Sequence, residues 1–290
     1  SDDLTALRTT PTRIPTVIVN RSVPNYPCVT VDHVETGRIA ALHALCKGGD
    51  SVGLVLNPAS YEGMNLRANA FFRTCGEYGA DISRNVFYCD NTIDAGYELG
   101  VSMIRENHVP KVITCIYDIV SFGMLRALVE AGINVGEEVQ LLATGTSLSS
   151  FFSRCTPPMT MVEMHLEEVT QRAMRVAVEL AARRIGSDTE IVLHPNIIYR
   201  ASSPAPTFVE RQALEKREQE ADRLYRQREE DARKAREFRE QMQRAKENAR
   251  SRGEAEAKRI LRDARATADQ VFSELAEMRK AQAKAERTMN

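Results

Sequence analysis

The chain has 290 residues, 43% of them hydrophobic and 27% charged, with a formal net charge of −1. That length leaves room for one large or two ordinary domains, and no apolar run reaches the roughly 20 residues a bilayer-spanning helix needs, so no membrane partner is expected. A near-zero net charge gives no global attraction to nucleic acid, although charge is uneven: the segment after Thr207 has a basic excess and the remainder an acidic one.

From Pro15 to Arg200 short β-branched runs alternate with helix-length stretches, which predicts an α/β fold with largely parallel strands. Strands are expected at PTVIVN (15–20), CVTVD (28–32), SVGLVL (51–56), NVFYC (85–89), KVITCIY (111–117), VQLLAT (139–144), MTMVEM (159–164) and EIVLHPNIIYR (190–200). Helices are expected at about 34–47, 62–79, 93–107, 119–132 and 166–185, long enough to act as crossovers, with Gly132 and Gly186 near helix ends. Proline and small polar residues at 202–206 then break the pattern. The expected organisation is an α/β domain over 13–203, a linker at 204–207 and a charged helical coiled-coil tail over 208–290.

The tail contains no Pro and one glycine, Gly253, and is otherwise rich in helix formers. Ala257, Ile260, Ala264, Ala268, Val271, Leu275 and Met278 step by three or four and repeat after 11, keeping one face of a nearly straight helix. Ala235, Phe238, Met242, Ala245 and Ala249 follow a seven-residue rhythm. So narrow a stripe cannot hold a lone helix together in water and calls for a partner helix or another chain. Gly253 is expected to form a hinge or turn.

In an open parallel sheet ligands bind beyond the carboxyl ends of the strands. The residues there are polar: Asn57 to Ser60, Asp90 and Asn91, Tyr117 and Asp118, and Thr144 to Ser147. Such groups suit a hydroxyl- or amide-bearing ligand, while Asp118, Ser60 and Thr92 would also serve as helix N-caps. The five histidines are dispersed, there is no nucleophile elbow and no phosphate-cradling loop, so no enzyme activity, cofactor or metal is expected. Cys28, Cys46, Cys75, Cys89, Cys115 and Cys155 form no C-x-x-C pair and read as free thiols of a cytoplasmic protein.

The order IPTVIVNR, VTVD with TGRIAALHAL, SVGLVLN, LRANAF, YDIVSFGMLRALVEAGINVGEEVQLLATGTS, PPMTMVEM and IYRAS resembles the effector-binding, periplasmic-binding-protein-like domain of LacI/GalR-type transcriptional regulators. The resemblance implies two parallel-sheet lobes, the first incomplete, with a small metabolite such as a sugar or purine between them. It implies that ligand binding alters operator affinity of a helix-turn-helix, and that the chain is a regulator forming a homodimer or coiled-coil pair. Carried over by position, Arg67 reaches into the cleft and Asp118 is the acidic strand-end residue. Tyr117, Ser60, Asn91, Thr144 and Thr146 complete the candidate ligand set.

The chain also departs from the family. Tyr117 stands where the family has Asn, and Thr144-Gly145-Thr146 replaces an aromatic-Asp loop, removing one expected ligand carboxylate. No helix-turn-helix precedes residue 13, so contact with operator DNA is expected only through a segment absent here, and the first strands of the amino-terminal lobe are likewise expected from elsewhere. EAKRILRDARATADQVFSELAEMRKAQAKA resembles the coiled coil of the MutS-like, Smr-bearing family. The alternative readings are a structural, oligomerising protein with a degenerate sensor lobe, or a fragment fused to that coil.

Overall fold

A computed structural model describes residues 14–58, 61–147 and 150–288. Ser60 lies outside them.

The α/β part holds two sheets. The smaller joins β1 (Ile18–Val19), β2 (Cys28–Val31) and β8 (Glu190–Leu193) in the order β1-β2-β8, all parallel. The larger contains β3 (Val52–Leu56), β4 (Val86–Tyr88), β5 (Val112–Cys115), β6 (Gln140–Gly145), β7 (Thr160–Glu163) and β9 (Asn196–Ile198), in the order β4-β3-β5-β6-β7-β9, with only β9 antiparallel. Helices α1 (His33–Gly48), α2 (Glu62–Glu77), α3 (Ile93–Arg105) and α4 (Asp118–Glu130) belong to the larger lobe, and α6 (Leu166–Ala181) packs on the smaller sheet. β5 and β7 are buried at every position, as strands covered on both faces must be, which is why their sequences are apolar runs rather than alternating ones.

The larger core gathers Leu54, Phe71, Ile113, Met124, Leu128 and Leu141. The smaller is built from Val29, Val169, Ala173, Val176 and Leu193. Gly37 positions the site to come: a Cβ there would lie 2.1 Å from the Arg67 carbonyl oxygen, so its bare backbone lets α1 press directly on α2.

Four expectations need correction. The run 190–200 is not one strand: it breaks at His194-Pro195, and its halves join different sheets, because proline cannot donate to a continuing ladder. Gly186 is not a helix end, since α6 stops at Ala181 and the left-handed position beyond it is taken by Arg183 (φ 55°); Gly132 (φ 75°) does follow α4. A short helix α5 (Phe151–Arg154) lies where none was expected. Gly253 lies inside the long helix α7 (Phe208–Thr288) rather than at a turn; one interior glycine costs about 1 kcal/mol relative to alanine, too little to stop a run of strong helix formers.

Residues 204–207 are irregular, but the first turns of α7 return to the α/β part, so the first compact unit runs to Asp222. The Lys47 ammonium lies 3.0 Å from Glu210, and the Arg217 guanidinium reaches Asp50 and the Tyr78 carbonyl. The second unit, from Arg223 onward, is helix, and all its described side chains through Met278 are exposed. Pairs such as Lys234–Glu230 (2.8 Å) and Arg250–Glu254 (2.9 Å) lace its surface. No described helix is long and apolar enough to cross a membrane.

Candidate functional site

The carboxyl ends of β5, β6 and β7 face the smaller lobe, and Arg67 lies across them. It sits on α2, is only 3% exposed, and donates from Nε to the Gly63 carbonyl (3.3 Å) and from Nη1 to the Ile116 carbonyl (3.1 Å), with Met164 Sδ 3.5 Å away. No carboxylate among the described residues comes within ion-pair distance of it. Burial lowers its pKa, while the Tyr61 and Tyr117 hydroxyls and the Asp118 carboxylate act the other way, which puts Asp118 within electrostatic reach. A guanidinium carries five N–H donors in a fixed fork, and one buried without a counter-ion is costly unless an acceptor is supplied.

Asp118 is the first residue of α4 and half-buried; its Oδ1 accepts from the Ile119 amide (2.8 Å). It has room because residue 145 is glycine: a Cβ there would lie 2.9 Å from Asp118 Cβ and 3.3 Å from Oδ2. Tyr117 is buried, and its hydroxyl finds no hydrogen-bond partner among the described residues. It lines a cavity of ≈ 240 Å³ with Asn57, Met64, Asn69, Phe72 and Tyr88. Thr144 is buried within β6, while Thr146 lines a larger hollow of ≈ 740 Å³ with Ser147, Glu163, His165 and the polar face of α6. Asn91 is exposed beyond the edge strand β4 and lines none of these hollows. Thr92 caps α3, accepting from the Ala95 amide (3.1 Å).

The smaller lobe places further polar residues at its own strand ends. His33 opens α1 just beyond β2, after the capping residue Asp32, is 6% exposed, and neither ring nitrogen has a hydrogen-bond partner among the described residues. Gly63 makes room for it, since a Cβ there would sit 2.6 Å from Nε2. Asn20, just past β1, likewise buries an unpartnered Oδ1. Arg21 stacks over the Tyr61 ring at 5.4 Å, bridging the lobes, and the space between is a hollow of ≈ 310 Å³ lined by Asn20, Arg21, Asp32, His33 and Glu62. Glu163, 2% exposed, holds two turns at once, accepting from the Ser147 amide and from the His165 amide (2.7 Å).

Burial first, and then the nearby charge of Arg67, holds the His33 pKa down at about 4; burial and Lys47 do the same to His43. Ser203 Oγ donates to Gln140 Oε1, so the His43 Nε2–H is the donor in the 2.6 Å contact with Ser203. Both folded values lie below the unfolded value of about 6.5, so the unfolded chain binds these protons first. Their contribution to stability is complete above about pH 6.5 and is lost as pH falls toward 4. Urea midpoints should therefore drop across that window, and His33→Gln should flatten the slope by about one proton, roughly 1.4 kcal/mol per pH unit. A midpoint constant between pH 6.5 and 4 would contradict this.

The family model described as a periplasmic binding protein-like domain matches residues 41–203, more than half of the chain. The chain belongs to the periplasmic binding protein-like family. Among relatives of this periplasmic binding protein-like domain, the HTH-type transcriptional regulator GalR of Streptococcus thermophilus is 27% identical over 175 residues, covering 57% of this chain and 52% of that one. A LacI family transcription regulator structure from Clostridium acetobutylicum superposes with a TM-score of 0.64 at 24% identity, covering 68% of this chain and 74% of that one. A LacI family regulator from Enterococcus faecium with bound ribose gives 0.59 at 17% identity, covering 66% and 70%. These matches bear out the resemblance to a LacI-family effector-binding domain. The chain spans 52–58% of the length of the first curated relatives it matches, and the family match stops short of the tail, whose likeness to the MutS-like coil gains nothing from it.

Proposed function

We propose that the α/β part is the sensor of a ligand-responsive transcriptional regulator working in the cytoplasm, and that it binds a small polar metabolite, a sugar or nucleoside-like compound, between its lobes. One observation carries the reading: Arg67 buries its guanidinium at the strand ends with no carboxylate partner among the described residues, beside unpartnered polar atoms of His33 and Tyr117. Acceptors on a ligand would complete Arg67, and ligand hydroxyls would donate to Asp118. With glycine at 145 the site holds one carboxylate fewer than the family pattern, which favours ligands presenting fewer donors. Closure of the lobes on the ligand would bias an attached helix-turn-helix toward or away from operator DNA, and the tail would join a partner helix.

A thermal-shift screen of ribose, hexoses, nucleosides and purine bases should find a ligand that raises the melting temperature of the full chain. Asp118→Asn should reduce that rise. A screen with no hit on demonstrably folded protein would overturn the sensor reading.

A further inference from the structure

The second unit is a helix with nothing covering it: Phe238, Met242, Leu261 and Val271 are 64%, 58%, 62% and 49% exposed. Four couples of its apolar positions are symmetric about Gly253, while Ile260, Leu275 and Met278 mirror onto Lys246, Asp231 and Arg228. Counting 8, 11, 15 and 18 residues in each direction gives Ala245 and Leu261, Met242 and Ala264, Phe238 and Ala268, and Ala235 and Val271. Each couple joins one large side chain to one alanine.

We propose that the tail pairs with the tail of a second copy of this chain, antiparallel, about a two-fold centre at Gly253. Reversing the second copy puts Met242 opposite its Ala264 and Phe238 opposite its Ala268, so each layer fills to a similar width. A parallel pair in register would set Phe238 on Phe238 and Ala268 on Ala268, alternating overfilled and empty layers. Charge agrees. Beside the centre, Arg250 and Arg252 of one copy meet Glu254 and Glu256 of the other, twice over by symmetry, whereas the parallel pair opposes like charges. Gly253 falls where the two helices cross, and a Cβ added there meets nothing within 4 Å in the single chain. Its lack of a side chain therefore answers no requirement inside one copy and lets two backbones approach closely. On a straight helix, at about 100° per residue, the couples at 11 and 18 residues lie within about 20° of the Gly253 line, and those at 15 and 8 residues lie about 60° and 80° to either side of it.

This inference stands apart from the sensor reading, since it concerns residues 235–271 and needs no ligand. Gly253→Leu in the full chain separates pairing from helix formation. Leucine is the better helix former by roughly 1 kcal/mol, so helicity by circular dichroism should hold or rise, yet the dissociation constant for self-association, measured by sedimentation, should increase by about tenfold or more because the side chain forces the axes apart. Orientation is read by crosslinking full-length Met242→Cys and Ala264→Cys, with the unsubstituted chain as background for the native thiols. The mixed sample should give a covalent dimer that neither variant gives alone. The proposal is overturned by a full chain that stays monomeric at tens of micromolar, by unchanged or tighter association of Gly253→Leu, or by a variant that crosslinks efficiently to itself. A Met242→Cys/Ala264→Cys double variant that crosslinks within one chain, without doubling its mass, would also overturn it.

Discussion

Arg67→Met should abolish most of the ligand-dependent gain in melting temperature while leaving the ligand-free protein at least as stable. The guanidinium is 3% exposed, and without ligand its charge faces carbonyls, hydroxyls and a sulfur rather than a partner carboxylate. Methionine has similar length and no charge, and its neighbour Met164 already supplies an apolar surface. The Gly63 and Ile116 carbonyls lose a donor, a cost of about 1–3 kcal/mol, which removal of a buried uncompensated charge offsets. With ligand bound the balance reverses, because charge-assisted hydrogen bonds are worth about 1.5–3 kcal/mol, so affinity should fall by about tenfold or more. Calorimetric titration and thermal shift on both proteins read the two effects separately. A ligand that stabilises both equally would bind somewhere other than the strand ends.

The second large effect is structural: Phe71→Ala should cost about 3–5 kcal/mol of unfolding free energy. Phe71 is 1% exposed, among the largest fully buried side chains, and sits one turn beyond Arg67 on α2. Its loss leaves a void in the larger core that close-packed neighbours cannot collapse to fill. Against a typical total of about 5–15 kcal/mol, that is a large share, and urea titration should show it as a lower midpoint at similar slope. Phe72→Ala, only partly buried, should cost distinctly less. Equal costs would mean that the two aromatic rings are packed alike.

The central strands were legible because β3, β5, β6 and β7 are covered on both faces and must be written as apolar runs flanked by polar ends. The split at His194-Pro195 was not, since β-branched residues on both sides read as one element and only tertiary pairing sends the halves to different sheets. Tyr117 and Asp118 follow from a strand end on the larger sheet, whereas Arg67, in the middle of α2, was reached only through the resemblance to the LacI/GalR-type domain. His33 and Asn20 lie just past β2 and β1, strands that the sequence also marks, so the same strand-end rule, extended to these two strands, points to them. Asn91 shows the rule's reach: β4 is an edge strand, so a polar residue after it turns to solvent. Gly253 could not be placed by composition, because glycine signals a break and a close approach equally well.

The lobes are connected at Asp32–His33, at Met164–His165 and at His194–Pro195, where chain leaves one sheet and enters the other. A body joined to another at three crossings cannot move at one of them without bending the other two. His33 belongs to the first crossing and the left-handed His165 to the second, and Glu163 grips the second from within the sheet. Whatever stiffens one crossing therefore restrains the others, and a molecule touching His33 and the β7 end at once would restrain the whole smaller lobe.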